Sequence, residues 1–313
     1  MTPDEAGATR ARLEALLGLA PHVPTRRDVR TGRVEDRPEY RLAQLEIEGM
    51  PALLSRPPDG GGPLPVVLYI HAHGNRHDIG KRELIDGRAS LQAPPYAAAL
   101  AGIGVAALCI DLPCFGARAG EGESARAKRR LWEGGTLFGD MLRDLQIGLD
   151  ALACIDGIDA RRVGALGLSM GATLGFWLAA LDTRIAALAH LCCFCDLETL
   201  VAEGGHDLHG PYMTVPGLLP AVSTGRIAGL VAPRPQLCCV GLEDPLTPPS
   251  AVARAAAETA AAYAARDASD AWTLVAEPDA GHRETVTMRA AVLEFLSRHL
   301  SRVSAGGRGH GTP

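Results

Sequence analysis

Six short apolar runs recur along this chain, and their spacing constrains the fold more than any other feature. Each run is apolar almost throughout instead of alternating with polar residues, which is typical of parallel strands buried on both faces. A sheet built from such strands needs a crossover connection between one strand and the next. The runs cover residues 66–70, 105–110, 163–168, 185–191, 236–240 and 272–276.

Segments with helical patterns lie between these runs and supply the crossovers. Helices in such connections cover both faces of the sheet. The sequence therefore predicts an α/β fold, with a doubly wound, mostly parallel sheet of about eight strands and helices on both faces. The expected helices cover residues 96–101, 137–154, 172–181, 250–265 and 284–300.

The N-terminal part of the chain has a different pattern. From Tyr40, polar and apolar residues alternate, which favours an antiparallel pair of strands at the sheet edge. We predict that residues 1–38 form an extension docked on a single catalytic domain over residues 39–303. Within that domain we expect a small insertion at about residues 192–226, which lines a pocket. The Gly-rich segment 304–313 is expected to be a flexible tail.

Composition excludes several classes of function. A net charge of −5 gives no electrostatic reason to expect a nucleic-acid partner. Two uncharged stretches, 93–110 and 163–181, approach the length of a membrane span, but prolines and glycines interrupt them. The first residues carry acidic groups and lack the pattern of a secretory signal, so a cytoplasmic protein without membrane contact is expected. The eight cysteines lack metal-type spacing and are interpreted as reduced thiols.

One motif carries the chemistry. The sequence Gly167-Leu168-Ser169-Met170-Gly171 falls where an apolar run gives way to a helical segment. A Gly-x-Ser-x-Gly motif in that context is typical of a sharp turn that exposes a nucleophilic serine at the edge of the sheet. The helix that follows adds partial positive charge near the hydroxyl. We therefore expect Ser169 to be the nucleophile.

A serine hydroxyl needs a base to accept its proton, and the base needs a carboxylate to orient it. His282 lies between the last apolar run and the last helical segment, which places it at the same sheet edge as Ser169. Asp244 follows the preceding run and stands before a proline at a turn. The order Ser169, Asp244, His282 is the one that this kind of fold uses. Glu243 and Asp196 remain alternatives for the acid.

An oxyanion hole requires two backbone N–H groups near the reacting carbonyl. The first is expected from Met170, directly after the nucleophile, and the second from the loop after the run at 66–70. In that loop we favour the N–H of Asn75 as the donor. Gly74 and Arg76 are alternatives, because a shift of one residue along the loop would put either of their N–H groups in its place.

The same loop is rich in histidine and permits a second interpretation. His71, His73 and His77 stand near Asp78, and these residue types are common metal ligands. We favour the interpretation in which the His73-Gly74 pair shapes the oxyanion loop and contacts substrate, with no metal site.

With these residues in place, the chain resembles the α/β-hydrolase superfamily, and within it the bacterial branch of acetyl-xylan-esterase-like and dienelactone-hydrolase-like enzymes. The resemblance spans roughly residues 40–300. Six motifs carry it: YIHAHGN at 69–75, DLPCFG at 111–116, GLSMG at 167–171, IAGLVAPRP at 227–235, GLEDP at 241–245 and AGH at 280–282.

This resemblance implies a Ser-His-Asp triad, an acyl-enzyme intermediate and no cofactor. Dienelactone hydrolases use a cysteine nucleophile, so Ser169 argues against a dienelactone substrate. The insertion resembles a pocket-lining segment of such enzymes, which implies that Tyr212 and Met213 contact substrate. Packing alone is an equal explanation for these two residues.

The predicted function is hydrolysis of a small carboxylic ester, with an acetyl or short acyl group favoured. A peptidase or amidase and a lactone hydrolase of the same fold would use the same triad. A hydrolase-like binding protein without activity is a further alternative, although all three triad positions are filled. A homodimer is possible on this sequence, but no motif requires it.

Overall fold

The computed structural model of this chain describes residues 2–59 and 62–300, so the predicted tail at 304–313 lies outside the described residues. Within these residues, nine strands form one sheet in the spatial order β1-β2-β3-β5-β4-β6-β7-β8-β9. The strands are β1 (Val29–Asp36), β2 (Arg41–Ile47), β3 (Met50–Arg56), β4 (Leu64–Ile70), β5 (Ala106–Ile110), β6 (Ile158–Leu168), β7 (Ile185–Leu191), β8 (Gln236–Gly241) and β9 (Trp272–Glu277).

Helices fill the connections between the parallel strands. Those of the described residues are α1 (Pro3–Leu17), α2 (Glu83–Asp86), α3 (Tyr96–Gly102), α4 (Glu123–Trp132), α5 (Leu137–Leu152), α6 (Met170–Leu181), α7 (Leu197–Ala202), α8 (Thr224–Gly229), α9 (Pro249–Ala264) and α10 (Val286–Leu300). Strands β4 to β9 pair in parallel, whereas β1, β2 and β3 pair antiparallel with their neighbours. The prediction of a doubly wound, mostly parallel α/β sheet is confirmed.

The central strands are buried on both faces, as their apolar runs predict. The run at 272–276 is an exception, because it forms β9 at the sheet edge, where no residue of the strand is buried. Along β4, Leu68 and Ile70 belong to one apolar cluster, and Val67 and Tyr69 belong to another. Because successive side chains of a strand point to opposite faces, these two clusters are the two sides of the sheet. Both sides are covered by helices, which is why β4 contains no charged residue and its one side-chain hydroxyl, on Tyr69, donates to the buried Glu83.

The antiparallel edge is larger than the sequence pattern suggests. We expected a pair of strands from Tyr40 onward, and β2 and β3 form it. A third strand, β1, comes from the segment that we assigned to a docked extension, and it pairs with β2. The side chains of β1 are mostly exposed, so its sequence contains no apolar run from which a strand could be predicted. The domain boundary at residue 38 stays a prediction, although the sheet continues across it.

The two apolar stretches of near-spanning length fold as separate packed elements. The stretch at 163–181 divides into the end of β6 and α6, and the stretch at 93–110 divides into α3 and β5. Among residues 2–59 and 62–300, no helix is long and apolar enough to cross a membrane.

Candidate active site

Ser169 stands at the sharp turn between β6 and α6. Its backbone has φ +58° and ψ −119°, a region that residues with a side chain rarely adopt. The Ser169 N–H donates a 2.8 Å hydrogen bond to the Leu191 carbonyl at the end of β7, which holds the turn against the sheet. Such strain persists where the surrounding structure enforces it, and it is concentrated at functional sites.

The two glycines of the motif allow this turn by having no side chain. A Cβ at Gly167 would lie 2.3 Å from the backbone carbon of Gly171, and a Cβ at Gly171 would lie 2.0 Å from the Ile70 carbonyl oxygen. Both neighbours are backbone atoms, which cannot move aside as a flexible side chain can. The steric reason for the Gly-x-Ser-x-Gly pattern is therefore the close approach of β6, α6 and β4.

The predicted acid and base are hydrogen-bonded to each other. The Nδ1 atom of His282 lies 2.7 Å from Oδ2 of Asp244. The Asp244 side chain is fully buried, and its other oxygen accepts the Leu246 N–H at 2.9 Å. Because the carboxylate oxygen can only accept a hydrogen bond, the neutral His282 ring carries its proton on Nδ1. Its Nε2 is then free to act as an acceptor.

The two alternative acids lie elsewhere. Glu243 is exposed. Asp196 is buried and caps helix α7, where its Oδ1 accepts the Thr199 N–H at 3.0 Å. Of the three carboxylates, Asp244 is the one that the structure pairs with His282.

Ser169, Asp244 and His282 follow β6, β8 and β9, so all three lie at the carboxyl edge of the parallel sheet. This edge is where open α/β sheets bind ligands. Within the described part of the chain, no hydrogen bond joins the Ser169 hydroxyl to His282. Catalytic hydrogen bonds are often long in the absence of substrate.

The candidate oxyanion amides differ in what they bind. Met170 is the first residue of α6, so its N–H has no acceptor within the helix. The Asn75 N–H donates to Nδ1 of His73 at 3.0 Å, and the Arg76 N–H donates to the His73 carbonyl, also at 3.0 Å. Among the described hydrogen bonds, the Gly74 N–H takes part in none. The assignment of Asn75 as an oxyanion donor stays a prediction. It requires that the Asn75 N–H break its hydrogen bond to Nδ1 of His73.

An ion pair that the sequence analysis missed anchors this loop. The Glu83 carboxylate accepts the Ala72 N–H at 3.1 and 3.2 Å, and Arg88 donates to the Ala72 carbonyl at 3.0 Å. Glu83 and Arg88 pair with each other. Burial raises the pKa of the Glu83 carboxyl, and the charge of Arg88 opposes that effect. Both backbone groups of Ala72 are thereby held in place, next to the loop that is predicted to supply an oxyanion donor.

A second buried carboxylate binds the loop from the other side. Oε2 of Glu123 lies 2.7 Å from Nε2 of His73, and Oε1 accepts the Tyr212 N–H at 3.0 Å. Burial raises the pKa of Glu123, but the hydrogen bonds and charge of its partners outweigh burial and leave that pKa below its usual value. Glu123 thus joins the predicted substrate residues His73 and Tyr212, whose rings stack at 5.7 Å between centroids.

Two cavities lie near this edge of the sheet. A cleft runs along Gly74, Arg88 and Ser90 to His282. A small apolar pocket with about 20 Å³ of free space lies between α5, α6 and residues 193–224. Met213 lines the apolar pocket, and so does Thr173, whose hydroxyl lies 3.4 Å from the Ser169 carbonyl oxygen.

The four residues of the alternative metal site do not all come together: His73 and His77 are neighbours, with ring centroids 5.1 Å apart, whereas His71 and Asp78 have other partners. His71 is fully buried, and its Nε2 accepts the Leu112 N–H at 3.2 Å. Asp78 pairs with Arg76 at the surface. Burial lowers the pKa of His71 to about 4, and it lowers the pKa of His190, buried below the sheet edge, to about 3.

These two neutral histidines should make the fold sensitive to acid. In the unfolded chain both titrate near pH 6.5. Below that pH the unfolded state binds protons that the folded state does not, so the free energy of unfolding falls. At pH 5 each histidine should cost about 2 kcal/mol relative to pH 7.5. Urea unfolding at the two pH values measures this loss. His190→Gln should remove about half of it, and equal stability at both pH values would contradict the prediction.

A mostly parallel sheet flanked by helices, with a serine at a strained strand-to-helix turn and an Asp-His pair at the same edge, defines the α/β-hydrolase fold. Solved structures of this fold are similar to the chain. A glucuronoyl esterase from Solibacter usitatus matches with a TM-score of 0.70 at 16% identity, over 96% of this chain and 93% of that one. Acetyl xylan esterase 1 from Thermoanaerobacterium sp. JW/SL YS485 matches with a TM-score of 0.62 at 18% identity, over 96% and 95% of the two chains.

The sequence comparison is more specific. The chain is 36% identical over 296 residues to the protein named "Putative hydrolase YtaP" of Bacillus subtilis (strain 168), which covers 92% of this chain and 99% of that protein. The chain therefore belongs to the family of this Bacillus subtilis protein. No protein-family model matches it.

Proposed function

We propose that this protein is a serine esterase that cleaves a small carboxylic ester through an acyl-enzyme intermediate. The observation that carries the proposal is the strained turn at Ser169, formed at the same sheet edge as the Asp244–His282 pair. Strain of this kind is costly, and it serves to expose a nucleophile. The relatives support the same chemistry, because one is named a hydrolase and the solved structures are named esterases.

In the proposed reaction, Nε2 of His282 takes the proton of the Ser169 hydroxyl as its oxygen attacks the ester carbonyl. Asp244 keeps the other ring proton on Nδ1 and stabilises the imidazolium that forms. The protonated ring then gives its proton to the leaving alcohol. Water releases the acid by the same route, with His282 again as the base.

The oxyanion needs two donors in this scheme. The Met170 N–H is the first, because it stands at the start of α6 and has no helical acceptor. The second comes from the loop after β4. Asn75 can supply it after its amide leaves His73, and Gly74 supplies it if the loop keeps its present hydrogen bonds.

The apolar pocket supports a preference for a small acyl or alcohol group. Its lining includes Phe138, Trp177 and Met213, and it begins one helical turn from Ser169. Its free space of about 20 Å³ is roughly what one water molecule needs, so the lining side chains already fill most of the pocket. An acetyl group would need the least movement of this lining to enter, which favours a short acyl ester over a long one.

The decisive test is turnover of p-nitrophenyl esters with acyl chains from acetyl to decanoyl, beside the matching p-nitroanilides. We expect the highest kcat/KM for the shortest chains, with a fall as the acyl group outgrows the pocket. Esters should react and anilides should not. Hydrolysis of anilides at comparable rates would favour an amidase instead, and no turnover of any of these substrates would contradict the esterase proposal.

A further inference from the structure

A cluster of three side chains lies beside the oxyanion loop, at one end of the cleft. His73 and His77 come from the loop after β4, and Glu123 comes from the first turn of α4. Each offers one possible ligand atom, and the three atoms lie within 4.8 Å of one another. The cluster shares His73 and His77 with the set considered from the sequence, but its third member is Glu123, and none of the three belongs to the proposed triad.

In the described part of the chain, no arginine or lysine pairs with the Glu123 carboxylate of this cluster. Glu123 is buried, and among the described residues its hydrogen-bond and ion-pair partners are His73, His77 and the Tyr212 N–H. A buried carboxylate is expensive unless a positive charge compensates it. By contrast, the charge of the buried Glu83 carboxylate is compensated by an ion pair with Arg88.

The hydrogen bonds of His77 leave a lone pair aimed at this carboxylate. Its Nδ1 lies 3.1 Å from the Cys114 carbonyl oxygen, which can only accept, so Nδ1 carries the proton. In the neutral ring, Nε2 is then an acceptor, and it faces Oε2 of Glu123 at 3.7 Å. Two acceptors at this distance repel each other unless a cation or a proton lies between them.

We propose that His73, His77 and Glu123 bind a divalent metal ion of the zinc type. Two imidazoles and one carboxylate are a ligand set that Zn²⁺ uses in proteins, with a fourth position left for water. Tetrahedral zinc, with bonds of about 2.0–2.2 Å, needs ligand atoms roughly 3.3–3.5 Å apart. The observed separations of 2.7 Å for His73 to Glu123 and 3.7 Å for His77 to Glu123 bracket that value.

The surroundings of the cluster resemble those of a built metal site. Outer hydrogen bonds orient ligating side chains. Here the Cys114 carbonyl orients His77, and the Tyr212 N–H orients Glu123. The side chain of His77 is 40% exposed, which leaves a path for an ion and room for a bound water.

Metal binding would change which ring nitrogen of His73 carries the proton. At present Nδ1 of this ring accepts the Asn75 N–H, so the proton sits on Nε2 and points at Glu123. A metal on Nε2 replaces that proton, and the neutral ring then carries its proton on Nδ1. The Asn75 N–H loses its acceptor as a result.

Calorimetric titration of the full chain with Zn²⁺ tests the proposal. We expect one saturable site in the wild type. His77→Ala and Glu123→Gln should each weaken it by at least roughly tenfold, since even the loss of an outer partner of a ligand has an effect of that size. His206→Ala, which removes an exposed histidine outside the cluster, should bind as the wild type does. Zn²⁺ should also raise the Tm of the wild type and of His206→Ala, but not of the other two variants.

Two results would overturn the metal site. One is no saturable binding by the wild type, and the other is equal binding by the wild type, His77→Ala and Glu123→Gln, which would place the ion on other residues. The far-ultraviolet circular dichroism of each variant shows whether it is folded. Because these measurements use no substrate, their outcome does not depend on whether the protein is an esterase.

Discussion

Replacement of Ser169 by alanine should lower kcat for p-nitrophenyl acetate by on the order of 10⁶, the loss seen when a triad nucleophile is removed. The substitution deletes one oxygen from a side chain that makes no hydrogen bond to His282 in the described structure. The fold should therefore remain intact. Alanine also tolerates the positive φ of this turn no worse than serine does, so the Tm should change by little.

The matched control is Ser250→Ala, which removes an exposed serine hydroxyl at the start of α9. We expect it to turn over as the wild type does. Stopped assays at high enzyme concentration can follow the residual rate of Ser169→Ala above the spontaneous hydrolysis. A rate within tenfold of the wild type would exclude Ser169 as the nucleophile.

Replacement of Asp244 by asparagine should lower kcat by on the order of 10⁴. The Leu246 N–H donates to one oxygen of this side chain, so an asparagine would turn its own oxygen toward Leu246. Its NH₂ group would then face Nδ1 of His282 and donate to it. The ring would be forced to carry its proton on Nε2, where it can no longer accept the proton of Ser169.

This prediction separates a tautomer effect from a general loss of structure. Asp279→Asn changes an exposed carboxylate on the same loop as His282, and it should leave kcat unchanged. KM should stay similar in both variants, because neither group is expected to contact the ester in the ground state. If Asp244→Asn were fully active, another carboxylate would have to orient His282.

The sequence was sufficient to predict the parts of this molecule whose signals are local. An apolar run of five to seven residues predicts a strand, and each of the six runs is one, although β9 at the sheet edge is not buried. The turn at Ser169 depends on glycines two residues away on either side, which are visible in the sequence. Asp244 and His282 could be proposed because strand order alone brings the loops after β8 and β9 together.

The parts that could not be predicted depend on contacts between distant segments. Glu123 meets His73 across 50 residues of chain. It lies in α4, a helix so rich in charge that its sequence is typical of a solvated surface. Nothing local indicates that its first residue is buried. Likewise β1 is a strand because β2 offers it an edge, and its own side chains remain mostly exposed.

The choice of the oxyanion amide is subject to a similar limit. Gly74, Asn75 and Arg76 are consecutive, and both Gly74 and Asn75 have left-handed φ values. His73 accepts the N–H groups of both Asn75 and Arg76, so its hydrogen bonds limit which amide of the loop is free to act as the proposed donor. Those bonds depend in turn on Glu123, so a pattern in the loop alone cannot identify the donor.

The contacts of Glu123 also bear on how such an enzyme could be altered. One oxygen of this carboxylate holds the backbone of the insertion at Tyr212, and the other holds the histidine that binds the Asn75 amide. A graft that replaces the insertion to admit a different ester would remove the first of these bonds. For the proposed esterase we therefore expect substrate range and catalytic rate to be linked, and we expect that a redesigned insertion must retain a donor for Glu123 if the rate is to survive the change in specificity.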